Sequence, residues 1–412
     1  MKTVVSLILL FAIAPSFSCQ IIPEQPGSRR VKTAPQARLR STSAPNVTAE
    51  RPTRSPVQRA ISPAKSAEFD QFARFIAGRS SADSPFAPLE RTEMWASHSQ
   101  LCNQAWLRLE RTQLSRITMW CSIELKEVDS EDRPVFYPFG GPDFLYAHAF
   151  FPRASDYILV GLEPAGSIPD WSVFSDEDWD KYLGSLRASM EEILNFTFFR
   201  TEDMKEHLEN EDVSGLLPIL LFFLARTDHR ILAIERVYIG SNGEEAGRDD
   251  FRHPRRPGRQ LMARCIQFQD STGGPRNLYY FPLDLSNYSL RARPGFAAFL
   301  KKRGALNSFV KAASYLMHRP AFSDVRDVLL GQSACLLQDD SGIPIECFPE
   351  KDWRMHLYGK YDKPIKLFEA RYQTGLEQRY AQAGEVRALP FGFGYRLQAD
   401  RSNLMLARKV SR

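Results

Sequence analysis

Between Glu93 and Gln113 the apolar residues Trp95, Cys102, Ala105, Trp106 and Leu109 recur at helical spacing. Residues three or four apart share one face of a helix, so this stretch reads as amphipathic. His98 lies on the same stripe and reads as a core histidine. A second helix is announced by Ser175 and Asp178, a carboxylate form of the capping box. Trp179, Tyr182, Leu183, Leu186, Met190, Ile193 and Leu194 follow it on one face. Further helices are predicted over 294–302, 306–317 and 323–330, the last with Gly331 in a C-cap position. Short apolar or alternating runs predict strands over 157–162, 230–239, 261–269, 277–282, 334–338, 391–397 and 403–407. Helices interspersed with buried-looking strands define an α/β body, a mixed sheet with flanking helices. The short polar link 399–402 predicts a C-terminal β-hairpin made of the last two strands.

The N-terminus follows a different pattern. Lys2 precedes an apolar core from Val4 to Ala14, and small residues lead to Cys19. That is the layout of a signal peptide over 1–18. Cleavage before Cys19 would leave a residue that a lipoprotein pathway can acylate, although Ser16 stands where a lipobox usually holds a Leu-like residue. The run is too short for a spanning helix, which needs about 20 apolar residues. Residues 19–65 read as a disordered Pro/Arg-rich tether. From Gln20 to Lys65 there are nine basic residues against two acids, with seven prolines, too little apolar surface to offset the entropy of ordering. The globular body is expected over 66–412, with the basic, proline-containing loop 248–259 as the candidate boundary of a subdivision.

Charge changes the picture of partners. The chain carries a net +5. The tether accounts for +7 and Lys2 for one more, so the body is slightly acidic. A folded nucleic-acid reader keeps its basic patch on the structured domain, so sequence-specific nucleic-acid binding is not expected. The tether suits an anionic envelope surface, and membrane contact is expected only through a lipid on Cys19. The spacing leaves Cys335 with Cys347, and Cys102 with Cys121, as candidate disulfides.

Candidate chemistry sits where strands end, because ligand sites of parallel sheets form at their carboxyl ends. Glu163 follows 157–162, Asp339 and Asp340 follow 334–338, and Asp284 follows 277–282. His318 is a candidate partner for the Asp339–Asp340 turn. Asp143 follows the turn Tyr137-Pro138-Phe139-Gly140-Gly141-Pro142, whose amides could hold an anion although it lacks the spacing of both phosphate-loop and dinucleotide fingerprints. Gathered in one cleft, these carboxylates could act as acid and base or bind a hard cation. The same residues, followed by Pro or Ser-Gly, are also what turns and helix caps demand. No cofactor is indicated, and a metal requirement stays open. Ser341 lacks the glycine-flanked elbow of a nucleophile.

The stretches Tyr137 to Phe144, Gly161-Leu162-Glu163-Pro164, Ser314 to His318 and Gln338-Asp339-Asp340-Ser341-Gly342-Ile343-Pro344 together resemble an uncharacterised family of bacterial secreted proteins and lipoproteins. The resemblance spans roughly 66–409. It implies export and brings no activity or catalytic residue. The expectation is therefore an exported envelope protein with a carboxylate-lined cleft, either a hydrolase or transferase, or a non-catalytic binding or structural lipoprotein.

Overall fold

Five short parallel strands form the centre of the molecule, and the order in which the chain visits them determines where a ligand could bind. The fold is given by a computed structural model that describes residues 63–410, apart from 82, 129–131, 196–214, 247–260, 271–273, 383, 385 and 397. The expected signal peptide, the expected tether up to residue 62 and the segment 248–259 lie outside the described residues. The first helix begins at Pro63, three residues before the expected start of the body.

The described helices are α1 (Pro63–Ile76), α2 (Glu93–Leu109), α3 (Ser115–Glu124), α4 (Phe144–Phe150), α5 (Asp176–Asn195), α6 (Leu217–Arg226), α7 (Asn287–Ala292), α8 (Gly295–Lys302), α9 (Ser323–Gln332) and α10 (Thr374–Gln382). The strands are β1 (Val135–Tyr137), β2 (Asp156–Gly161), β3 (Arg230–Ile239), β4 (Glu245–Ala246), β5 (Leu261–Gln269), β6 (Pro275–Pro282), β7 (Leu306–Val310), β8 (Ser333–Gln338), β9 (Trp353–Gly359) and β10 (Asn403–Lys409). They make one mixed sheet in the order β4-β3-β5-β6-β2-β1-β7-β8-β10-β9. From β6 to β8 all neighbours are parallel. The flanks β4-β3-β5 and β10-β9 are antiparallel. β3 and β5, which precede and follow the segment 248–259 in the chain, are neighbours in this one sheet.

The chain runs outward from β1 through β2 to β6, then returns to β7 on the other side of β1 and continues to β8. The covering helices change face at that reversal. Apolar residues of α1 to α6, such as Phe72, Trp95, Trp120, Phe144, Tyr182 and Leu220, pack on one face of the sheet. Those of α7 to α10, such as Leu290, Phe299, Leu329 and Leu376, pack on the other. Each large apolar side chain so buried contributes about 1.5–3 kcal/mol. This is a doubly wound arrangement, with its topological switch point between β1 and β7.

The capping box at α5 is present. The Ser175 amide donates to Asp178 Oδ2 at 2.8 Å and the Asp178 amide donates to Ser175 Oγ at 3.2 Å. His98 is a satisfied core residue, with Nε2 2.9 Å from the Ile76 carbonyl oxygen and Nδ1 2.7 Å from an Arg187 guanidinium nitrogen.

Four expectations need correction. The segment 306–317 is not a helix. Leu306–Val310 is a strand buried along its whole length, as a strand covered on both faces must be. Ala312, Ser314 and Tyr315 then adopt positive φ, which ends regular structure. The segment 391–397 is not a strand. A C-terminal antiparallel pair exists, but the partner of β10 is β9, while Phe391 and Phe393 fill the aromatic cluster with Trp120 and Phe150. Gly331 lies inside α9, which Ser333 closes. Neither candidate cysteine pair is a disulfide.

Candidate functional site: the carboxyl ends of the parallel strands

The loops after β1 and β7 face each other across the switch point, and an ion pair joins them. Asp143 is the N-cap of α4, its Oδ1 accepting from the Tyr146 amide at 3.1 Å. Its Oδ2 lies 2.5 Å from Lys311 Nζ, with the two side chains only 2% and 1% exposed. The Tyr137 hydroxyl donates to the same oxygen at 3.0 Å, and Lys311 Nζ sits 3.6 Å from the centre of the Tyr146 ring. Burial raises the Asp143 pKa and lowers that of Lys311, each toward its neutral form, while the partner's charge opposes the shift. Such a pair is tolerable in the interior only because it is complete.

On the far side of β7 the Asp339–Asp340 turn is equally committed. Asp339 Oδ1 accepts from Ser341 Oγ at 2.5 Å and from the Ser341 amide at 3.2 Å. Its Oδ2 accepts from the Ala312 amide at 3.2 Å. Ser341 Oγ in turn accepts from the Ala313 amide at 2.7 Å, so this buried hydroxyl is a strut and not a nucleophile. Asp340 accepts from Asn403 Nδ2 at 2.9 Å and from the Tyr315 hydroxyl. Burial and then the neighbouring Asp340 charge push the Asp339 carboxyl up to about 7. Burial also raises Asp340, against the opposing bonds from Tyr315 and Asn403. His318 packs edge-on to Tyr315 at 5.1 Å beside this turn. Desolvation first, then Arg371, hold its pKa down to about 4, so it is a neutral imidazole. The void beside the two aspartates measures about 10 Å³, barely room for one water. No substrate fits there.

Glu163 is different. It follows β2, is 8% exposed, and its carboxylate has no hydrogen-bond or ion-pair partner among the described residues. Its own backbone is fixed, since the Tyr280 hydroxyl on β6 donates to the Glu163 carbonyl at 2.8 Å. Gly161 makes the close approach possible. A Cβ there would stand 2.6 Å from Tyr280 Oη, 2.8 Å from Glu163 Oε2 and 2.9 Å from Gly141 Cα. The carboxylate therefore lies against the Gly140–Gly141 turn after β1. Beside it Leu162 is 69% exposed.

The sequence-predicted residues thus fall into groups. Asp143, Asp339 and Asp340 are drawn together through Lys311, which feels the charge of both Asp143 and Asp339. Glu163 stands apart: β2 and β8 are separated by β1 and β7, three strand spacings or about 14 Å. Asp284 forms an exposed turn, its Oδ1 accepting from the Ser286 amide at 2.9 Å ahead of α7. Lys311, Tyr137, Tyr146, Tyr315 and Asn403 were not among the expected residues. For Lys311 the available signal was its position just past an apolar run, which the helical reading obscured. Among the described residues no group of three or more His, Cys, Asp or Glu is arranged to hold a metal ion. Two open cavities of about 530 Å³ lie elsewhere, one lined by Cys121, Leu145 and His148 and the other by Cys347, Trp353 and Lys409.

The fold and site define a doubly wound α/β protein with a sealed acidic network and, among the described residues, an unpaired Glu163 carboxylate at its strand ends. Comparison with protein-family models, with curated proteins and with solved structures finds no match.

Proposed function

We propose that this chain binds a small ligand through a vicinal diol at the carboxyl ends of β1 and β2, with Glu163 as the acceptor. The observation that carries the reading is a carboxylate at the end of β2 that protein covers on most sides and solvent still reaches, with no protein partner among the described residues. In doubly wound sheets an acidic residue about 20 positions beyond the glycine turn accepts the ribose hydroxyls, and Glu163 stands 22 positions after Gly141. Exposed Leu162 offers an apolar shoulder for a base. A ribonucleoside is therefore the preferred source of the diol over a free sugar. Binding is favoured over acid–base catalysis, because Asp143, Asp339 and Asp340 already spend their oxygens on Lys311, amides and hydroxyls.

Titration calorimetry with adenosine, 2′,3′-dideoxyadenosine and mannose tests this. Adenosine is expected to bind, and removal of the diol to weaken binding at least about tenfold, roughly the worth of a hydrogen bond to a charged group. Glu163→Gln should cause the same loss without changing the urea midpoint. Equal affinity for the dideoxy analogue would refute the diol reading.

The address belongs to the same proposal. The Val4 to Ala14 core, Cys19, the basic tether and the family resemblance support export to a bacterial envelope. They also support lipidation of Cys19 and attachment of the tether to an anionic surface. Mass spectrometry of the mature N-terminus checks it: a diacylglyceryl Cys19 is expected, and an unmodified Cys19 ends the anchor.

A further inference from the structure

Near the amino end of β2, away from Glu163, α3 and the turn that follows α4 line the open cavity of about 530 Å³ that includes His148. Its volume is that of a small-ligand pocket. Leu114, Leu145, Phe150 and Pro152 give it apolar walls. Leu114 ends a π-helical turn, Glu110–Leu114, between α2 and α3, a distortion that recurs at functional sites. The lining hydroxyls have committed their protons. Thr118 Oγ1 donates to the Leu114 carbonyl at 3.0 Å, Ser122 Oγ to that of Met119 at 2.7 Å and Thr227 Oγ1 to that of Phe223 at 2.7 Å. The same accounting fixes the tautomer of His148. The Tyr157 hydroxyl spends its one proton on the Phe151 carbonyl at 2.8 Å. Across the 3.0 Å contact between that hydroxyl and His148 Nδ1, the imidazole must therefore be the donor. Burial, and then His229, hold the His148 pKa well below its ordinary value, so the ring is neutral and Nε2 carries a lone pair. That nitrogen has no hydrogen-bond partner among the described residues and is not sealed from solvent. At the rim, Arg153 is paired with Asp132 at 3.3 Å, whereas exposed Lys126 makes no ion pair among the described residues.

We propose that this cavity is a second binding site, for a phenolic acid: an apolar ring against Leu145 and Phe150, a hydroxyl donating to His148 Nε2 and a carboxylate toward Lys126. The unpartnered acceptor asks for a donor, the walls for apolar surface and the unpaired ammonium for an anion. A rigid ring carries all three without the ordering cost of a hydroxylated chain. The site is independent of Glu163 and of the diol reading.

Calorimetry on the full chain with 4-hydroxyphenylacetate, phenylacetate and tyramine tests it. The first carries donor and anion, the second lacks the donor, and the third has a cation in place of the anion. 4-Hydroxyphenylacetate is expected to saturate, and phenylacetate to bind at least about fivefold more weakly, the worth of one hydrogen bond. Tyramine should trail by a similar factor, and its deficit should shrink from about 50 to about 500 mM salt. Lys126→Met, at an exposed position, should erase the preference for acid over amine without moving the urea midpoint. His148→Asn keeps a donor for Tyr157 and removes Nε2, so it should bring 4-hydroxyphenylacetate down to the level of phenylacetate. Thr118→Trp, also at an exposed position, should fill the mouth and abolish binding. Equal affinity for phenylacetate overturns the phenol, and equal affinity for tyramine overturns the acid. Full affinity in Thr118→Trp, or failure of all three probes to bind, overturns the site. Glu163→Gln should leave all three affinities unchanged, which separates this outcome from that of the diol reading.

Discussion

Replacing Lys311 by Met keeps a side chain of similar length and removes the cation that, among the described residues, pairs with Asp143. The carboxylate then retains the Tyr137 hydroxyl and the Tyr146 amide but stays buried, with the pair 2.5 Å apart in the wild type. Removing one member of a buried pair costs about 3–5 kcal/mol, because the survivor is left uncompensated. Burial already raises Asp143, and losing Lys311 raises it further. The variant can thus relieve the penalty by protonating Asp143, so its loss should be greatest near pH 8 and shrink toward pH 4. Urea unfolding followed by the fluorescence of buried Trp95 and Trp120 measures both effects. Asp143→Asn keeps the cap and leaves Lys311 without its anion. The double variant Lys311→Met with Asp143→Asn should recover roughly 2 kcal/mol relative to the sum of the singles, within the range seen for contacting residues. A Lys311→Met protein within about 1 kcal/mol of wild type at pH 8, or strict additivity, would show that the pair does not hold the β1 and β7 loops together.

Two further outcomes follow from the same network. Gly394 has φ +64° and is pressed directly on the Asp339 carboxylate, so Gly394→Ala combines left-handed strain with a clash and should cost more than about 2 kcal/mol in urea unfolding. An unchanged midpoint would mean that the loop over Asp339 is free to move. For pH, burial lowers His98, His229 and His318 to about 4. The unfolded chain therefore binds protons between the ordinary 6.5 and 4 that the native chain refuses, and stability falls as pH drops through that window. Asp339, raised to about 7, acts in the opposite sense: its contribution is present in acid and is lost as pH rises from the usual carboxylate range to 7. His148 and His356 are lowered as well, while Asp143 and Asp340 are raised alongside Asp339; the lowered imidazoles outnumber the raised carboxylates, so urea midpoints should fall from pH 7 to 5, and fall more steeply in Asp339→Asn. A flat profile would contradict the burial of these imidazoles.

Elements with an exposed face were legible from sequence, and elements without one were not. β3 and β5 begin and end at the expected residues because their side chains alternate between burial and exposure, and α5 was marked by its cap. β7 has no polar face: Asn307 and Ser308 are as buried as Phe309. Nothing in its period separates strand from helix, and the misreading extended across Lys311. The pattern of Phe391 and Phe393 has period two because alternate side chains enter an aromatic cluster, without a ladder of strand bonds. Of the candidate site, strand ends located Glu163, Asp339 and Asp340, and the glycine-proline turn ahead of a helix located Asp143. Their spending could not be read, since it depends on Lys311, Asn403 and Tyr315, which are distant along the chain and are placed by the order of the strands. A lysine is normally assigned to the surface, and only the switch point puts this one inside.

β9 closes one side of the sheet, and a segment far along the chain covers it. The Arg387 amide donates to the Leu357 carbonyl at 3.0 Å and the Gly359 amide donates to the Arg387 carbonyl at 2.8 Å. Backbone groups that would otherwise invite another polypeptide to zip alongside are thereby occupied at that end of β9. Docking of a foreign strand there would first have to peel Arg387 away, so self-association by strand addition is opposed by the protein's own chain.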